Sequence, residues 1–230
     1  MSNHTSGSPT PRRGFIARVL AGSAALVAVG STARALDAAA VLDPRTGAAS
    51  PDWMDELTAP HRTVFDVAAH KNGKPIAQAR NYLNAWRDAF AVQEKDINLV
   101  IGVHGEGVPL VMNDALWTRF KIGEQYEVTD GSTKKPATVN SFTMAHAASA
   151  GLVSPEQSVE ALQKRGVRFL ICNNTINGAT AKLSAAGFGT ADEIKPAIIA
   201  GLLPGVIIVP AMVVALTQLQ ERGVKYTKIA

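Results

Sequence analysis

From Arg62 onward, short apolar runs alternate with stretches in which apolar positions recur every three or four residues. Thr63–His70, Thr-Val-Phe-Asp-Val-Ala-Ala-His, reads as a strand ended by the turn signal Lys71-Asn72-Gly73-Lys74. Ile76–Gln93 reads as a helix, because Ile76, Ala79, Leu83, Trp86 and Phe90 repeat at helical spacing. Ile97–His104 is a second strand, mostly apolar and so expected to be covered on both faces.

The pattern then predicts a short helix over Asn113–Phe120, a polar excursion over Tyr126–Asn140, and helices over Thr143–Ala150 and Pro155–Arg165. Ser154 and Pro155 supply a cap and a first-turn proline for the last of these, and Gly166 stops it. Val167–Ile171 is a third strand that runs into Cys172-Asn173-Asn174-Thr175, with a helix expected from about Asn177 or Gly178.

Pro196–Leu216 carries no charge, which on length alone would suit a bilayer span. Pro204-Gly205 and Pro210 break it, and the better parse is a helix over Ala191–Leu203, a strand over Val206–Val209 and a helix over Ala211–Arg222. Gly223 caps that helix and Val224–Ile229 forms a terminal strand. Strands alternating with helices predict a three-layer αβα domain of the α/β class, with a mainly parallel sheet of about five strands over residues 61–230.

The front of the chain follows a different pattern. Residues 1–35 hold Arg12, Arg13, Arg18 and Arg34 and no acidic residue. Arg12-Arg13-Gly14-Phe15-Ile16 leads into the apolar stretch Val19–Val29, and Ala33-Arg34-Ala35 offers small residues for a signal peptidase. This is the layout of an export signal, and the paired arginines resemble the twin-arginine type, so a periplasmic location is expected. Residues 36–60, rich in Ala, Asp and Pro, read as a linker or arm outside the core.

Charge changes meaning once this segment is set apart. The net charge is +4, from 23 Lys+Arg and 19 Asp+Glu. With four arginines in the leader, the rest of the chain holds 19 of each sign. It has no basic block interleaved with aromatics, which excludes a phosphate-tracking nucleic-acid surface. One cysteine excludes an intramolecular disulfide framework and a Cys-rich zinc module.

Ligand sites in parallel sheets gather at the carboxyl ends of strands. That rule brings His70, His104 and Cys172 to one sheet edge. Cys172 precedes a turn and a helix, surroundings in which a thiol becomes nucleophilic, although a lone cysteine also serves as a small buried hydrophobe. His104 lies in Val103-His-Gly-Glu-Gly107, whose glycines permit close approach of a ligand to the backbone. His70 and His146 read as structural, and His61 falls at the edge of the arm.

A zinc or copper site of His70, His104 and Cys172 with Glu106 is chemically permissible, but no local spacing supports it, and no metal or cofactor is expected. The chain lacks a dinucleotide fingerprint, a Walker-type loop and a Gly-x-Ser-x-Gly elbow.

Three segments together resemble the DsrE/DsrF-like family: Val167-Arg-Phe-Leu-Ile-Cys-Asn-Asn-Thr175, Leu203-Pro-Gly-Val-Ile-Ile-Val-Pro-Ala211, and Leu216 through Gln220-Glu-Arg-Gly223-Val-Lys-Tyr226. Val103-His-Gly105 is similar to exported relatives. The resemblance spans roughly 63–229 and implies an αβα domain that assembles into oligomers, here a homo-oligomer.

In the relay members a cysteine at the position matching Cys172 takes a sulfane sulfur as a persulfide and passes it to a partner. The resemblance therefore implies sulfur transfer through Cys172 with a donor or acceptor protein; position at or beside the strand ends, apart from the resemblance, adds His104 as proton acceptor or persulfide partner and His70, Gly105, Asn173, Asn174 and Thr175 as candidate binding residues. Relay members work in the cytoplasm, whereas this chain reads as exported. A non-catalytic binding or assembly module is the alternative.

Overall fold

A computed structural model describes residues 53–229. The expected signal over residues 1–35 and most of the expected arm lie outside the described residues. Five strands, β1 (His61–Ala69), β2 (Ile97–Glu106), β3 (Arg168–Cys172), β4 (Ile207–Val209) and β5 (Lys225–Ile229), form one sheet in the order β4-β3-β2-β1-β5. Every pairing is parallel. The α/β architecture read from the alternation is the one observed.

The helices are α1 (Lys74–Phe90), α2 (Asp114–Phe120), α3 (Ile122–Gln125), α4 (Ala147–Ala150), α5 (Val159–Lys164), α6 (Asn173–Ala185), α7 (Ala191–Ala200) and α8 (Met212–Glu221). Strand order fixes their faces. The chain steps from β1 through β2 and β3 to β4 in one direction and then returns past β1 to β5, and parallel crossings are right-handed. The first three connections therefore cover one face of the sheet and the last covers the other.

The core divides accordingly. Phe65, Val67, Leu99, Ile101, Val103, Phe169 and Ile171 join Ile76 and Leu83 of α1 and Ile176 and Leu183 of α6 in the larger cluster. Their alternate neighbours Val64, Val100, Leu170 and Cys172 join Met212, Ala215, Leu216 and Leu219 of α8 on the opposite face. The alternation within each strand is the two-residue period of a pleated chain buried on both sides. A side chain at Gly102 would come within 2.7 Å of the Met212 sulfur, so this position keeps α8 close to the sheet.

The arm reading is corrected for its described part. Trp53, Met54, Leu57 and Ala59 are buried, and the first three belong to the α8-side cluster. The Ala59 N–H donates to Asn98 Oδ1 at 2.8 Å, and Arg168 pairs with Glu56. One helix is too small a cover for that face of the sheet, and this segment supplies the rest. The isolated apolar residues of an Ala- and Pro-rich stretch show no periodicity, so pattern alone gave them no partner.

Several boundaries also move. The helix expected over Thr143–Ala150 is reduced to α4, because Thr143 and its neighbours form turns on Asn140, whose amide donates to the carbonyls of Pro109, Leu110 and Met112. The helix expected over Pro155–Arg165 breaks at Ser158, which is extended and caps α5 by accepting from the Ala161 N–H. α7 ends three residues early, where the Leu203 N–H turns to donate to the Val111 carbonyl at 2.8 Å.

Trp53 is 2% exposed, so Trp53→Ala should lower the free energy of unfolding by roughly 3 kcal/mol, the cost of emptying a large aromatic site. Urea denaturation of the two chains measures this. An unchanged midpoint would return residues 53–59 to a detached arm.

Candidate functional site

Opposed crossings open a crevice between β3 and β4. After β3 the chain leaves into α6 on one face, and after β4 it leaves into α8 on the other. Ligands of open α/β sheets lie in such crevices, outside the carboxyl ends of the strands. Here the crevice holds a pocket of about 440 Å³. The end of β2 contributes His104, Gly105 and Glu106, and β3 contributes Cys172. Asn174, Thr175, Gly178, Ala179 and Lys182 of α6, the start of α8 from Ala211 to Val213, and Tyr126 complete the wall.

Cys172 is 5% exposed and serves as the extended N-cap residue of α6. The helix expected from Asn177 or Gly178 thus begins four residues earlier. Asn-Asn-Thr reads as a turn by composition, but these residues occupy the first helical turn, where backbone N–H groups lack helical acceptors and polar residues cost little. The Met212 N–H, at the start of α8, donates to Cys172 Sγ at 3.3 Å. The N-terminus of α8 therefore faces the sulfur, while α6 begins on the backbone of the same residue.

Strand register carries His104 to the same level. Gly102 pairs with Leu170 and Val103 with Ile171, so His104 and Cys172 follow at the ends of neighbouring strands. His104 Nε2 lies 2.7 Å from Asp66 Oδ1, and the Tyr226 hydroxyl donates to Asp66 Oδ2 at 2.7 Å. With Nε2–H directed at the carboxylate, Nδ1 is the ring nitrogen left to accept a proton. The Asp66 bond holds the Tyr226 hydroxyl above its ordinary pKa by stabilising the protonated form.

Asp66 and Tyr226 are not among the site residues expected from the sequence. The signal for Asp66 was available as the one charged residue within the apolar run Val64–Ala69. Tyr226 gave none, since its neighbourhood with β1 arises only when β5 adds beside that strand.

Gly105 and Thr175 are joined directly, the Gly105 N–H donating to Thr175 Oγ1 at 2.9 Å. At the far end of α6, Lys182 Nζ stands 3.4 Å from Glu106 Oε2 and 3.9 Å above the Tyr126 ring. Burial raises the Tyr126 phenol well above its ordinary pKa, which keeps it neutral in the wall.

The structure thus brings together Cys172, His104, Gly105, Asn174 and Thr175 around one pocket, while Asn173 and His70 do not line it. His70 is corrected to a structural role. Its Nδ1 accepts from the Asn72 N–H at 3.1 Å, so Nε2 carries the proton and donates to the Tyr126 carbonyl at 3.0 Å. The ring thereby stabilises a turn in which Lys71, Asn72 and Gly73 all have positive φ, and it tethers the backbone of a pocket residue. Among the described residues no group of three or more His, Cys, Asp or Glu is arranged to hold a metal ion, since His70 and His104 are each turned to other partners.

No family model matches the chain, and no curated protein sequence does. A solved structure of a protein of unknown function from Methanobacterium thermoautotrophicum is similar to it at 18% identity and a TM-score of 0.40, covering 74% of this chain and 99% of that one. At that distance the likeness carries no functional argument. No helix among the described residues is long and apolar enough to cross a membrane, and the uncharged stretch 196–216 is divided among α7, β4 and α8.

Burial is the largest influence on His70 and lowers its pKa from 6.5. Protonated Nδ1 would also oppose the Asn72 N–H. The neutral ring's contribution to stability should be complete above pH about 6.5 and decline as pH falls from there through the lowered folded-state value. In His70→Asn, which retains an acceptor for the Asn72 N–H, this part of the acid slope should vanish from urea midpoints measured across the range. An identical slope would remove His70 as its source.

Proposed function

We propose that the protein accepts sulfane sulfur on Cys172 from a donor that enters the pocket at the carboxyl edge of the sheet. One observation carries the reading: the chain's single thiol lies in the wall of this pocket, with a backbone N–H directed at its sulfur. The resemblance of the Cys-Asn-Asn-Thr and Pro-Gly-Val segments to sulfur-relay proteins supplies the chemistry.

The step is an exchange between thiolates. Cys172 gives its proton to His104 Nδ1, and the thiolate attacks the terminal sulfur of a persulfide R–S–S⁻. A new S–S bond forms at Cys172, the donor's S–S bond breaks, and R–S⁻ leaves with the electron pair. No net oxidation occurs. The Met212 N–H, already set on Sγ, is positioned to stabilise negative charge on the sulfur, and the dipoles of α6 and α8 act in the same sense. Asp66 and Tyr226 act through His104, holding its ring and tautomer.

The chain is further proposed to work in the periplasm as a homo-oligomer, on the strength of its twin-arginine-like leader and the same resemblance. Arg12→Lys with Arg13→Lys should hold it in the cytoplasmic fraction, as immunoblotting of cell fractions would reveal.

A second reading has its own support. At 5% exposure, with its sulfur already hydrogen-bonded, Cys172 also suits a pocket that binds its ligand without covalent chemistry. Intact-mass measurement after incubation with a sulfane-sulfur donor separates the two. Transfer predicts an adduct of about 32 Da, one sulfur atom, on the wild-type chain and none on Cys172→Ser. An unmodified wild type that also resists alkylation while folded leaves the binding reading.

Asp66→Asn should slow loading by about tenfold and alter its pH profile, because the ring loses its carboxylate partner. A purely structural role for Asp66 would lower stability and leave that profile unchanged.

A further inference from the structure

Gly178 differs from every other glycine among the described residues. Each of the others either has positive φ or would force an added side chain into its neighbours. Gly178 lies within α6 on ordinary helical backbone, and a Cβ there would meet nothing within 4 Å. Glycine inside a helix costs about 1 kcal/mol relative to alanine, and no protein contact in the structure accounts for it. The empty space beside it belongs to the pocket.

That space has an extent and a chemistry at each end. Asn174, Gly178 and Lys182 recur every four residues and so share one face of α6. The face runs from beside Cys172 to the Lys182 ammonium, about 12 Å at 1.5 Å per residue. At the near end lies the thiol. At the far end the ammonium of Lys182 and the carboxylate of Glu106 stand 3.4 Å apart, with side-chain exposures of 38% and 60%. An exposed pair of this kind is weak, so either member can exchange its partner for a ligand group at little cost. Together they present one positive and one negative group, which complements a ligand end bearing both charges.

We infer that the pocket takes a low-molecular-weight organic thiol or its persulfide, laid along α6 over Gly178. Its sulfur reaches Cys172, and its amino-acid-type zwitterionic end meets Lys182 and Glu106. The inference rests on the sulfur-acceptor reading for its chemistry, but its binding claim stands apart from transfer. The burial of Cys172 favours the same class of donor, since a slender molecule reaches a sulfur that a cysteine held on a folded protein surface would not. In the transfer step R–S–S⁻ gives its terminal sulfur to Cys172, and R–S⁻ remains in the groove to diffuse out.

The test uses the full chain and two probes. S-Methylglutathione cannot transfer sulfur, so calorimetry with it reads binding alone. Glutathione persulfide, compared with inorganic polysulfide, reads transfer by intact mass. S-Methylglutathione should bind saturably to the wild type and about tenfold more weakly to both Gly178→Leu, which fills the groove, and Lys182→Ala, which removes a charge-assisted contact. Loading from glutathione persulfide should slow in parallel, and by more than loading from inorganic polysulfide does in the same variants.

Thermal melting controls for folding. Gly178→Leu should melt no lower than the wild type, because leucine is the better helix former at an open helical position. No saturable binding of S-methylglutathione, or binding unchanged in both variants, overturns the inference even if inorganic polysulfide loads Cys172. Binding that follows the expected pattern while neither donor loads the thiol upholds the groove and removes sulfur transfer.

Discussion

The handedness of parallel crossings is the constraint on which the site depends. A chain that builds β1 through β4 in one direction and then returns to β5 must send its last helix to the opposite face. The strand ends at which this reversal begins cannot be roofed by either helix, and the gap they leave becomes the pocket. Cys172 occupies the end of β3 at this gap, so α6 begins on its own backbone and α8 begins against its sulfur. Covering the return face has a second consequence. α8 alone does not complete that face, so Trp53, Met54 and Leu57 become structural parts of the layer beneath the site.

The polar contacts around the pocket join elements distant in sequence. Asp66 of β1, His104 of β2 and Tyr226 beside them on β5 form a chain of hydrogen bonds across three adjacent strands. Thr175 ties the first turn of α6 to the end of β2, and Lys182 reaches from a later turn toward Glu106 on the same strand end. The α6 wall is therefore fixed to β2 at its first turn, beside the thiol, and joined only by an exposed, exchangeable ion pair at the Lys182 end.

Much of this was legible in the sequence, for an identifiable reason. Strand ends follow from apolar runs, and the parallel-sheet rule turns those ends into a site list. It found His104, Gly105, Asn174, Thr175 and Cys172, all of which line the pocket. It also included His70, which ends a strand yet turns to the Tyr126 carbonyl, because strand position gives the level of a residue and says nothing of the partner its ring will find. Asp66, Tyr226 and Lys182 escaped notice for the converse reason. Their proximity to the site depends on register, on the late addition of β5 and on helical phase, none of which a local pattern encodes. The arm failed on similar grounds, since Trp53 and Leu57 acquire a partner only once the sheet has a face to cover.

The two readings of Cys172 meet in its burial. A lone buried cysteine ordinarily gains its stability as a small hydrophobe, and membership of the α8-side cluster satisfies that description. A hydrophobe alone, however, would not need a pocket beside it, a helix kept open by glycine next to that pocket, or a histidine held by a carboxylate at the adjoining strand end. Each is costly or neutral for folding: Gly178 weakens α6, and the His104–Asp66–Tyr226 chain holds polar side chains at fixed positions against their entropy. Features that detract from folding yet surround one thiol are expected where a fold has been shaped for a ligand. On the reading proposed for the pocket, burial acts as a filter on the size of what reaches the sulfur.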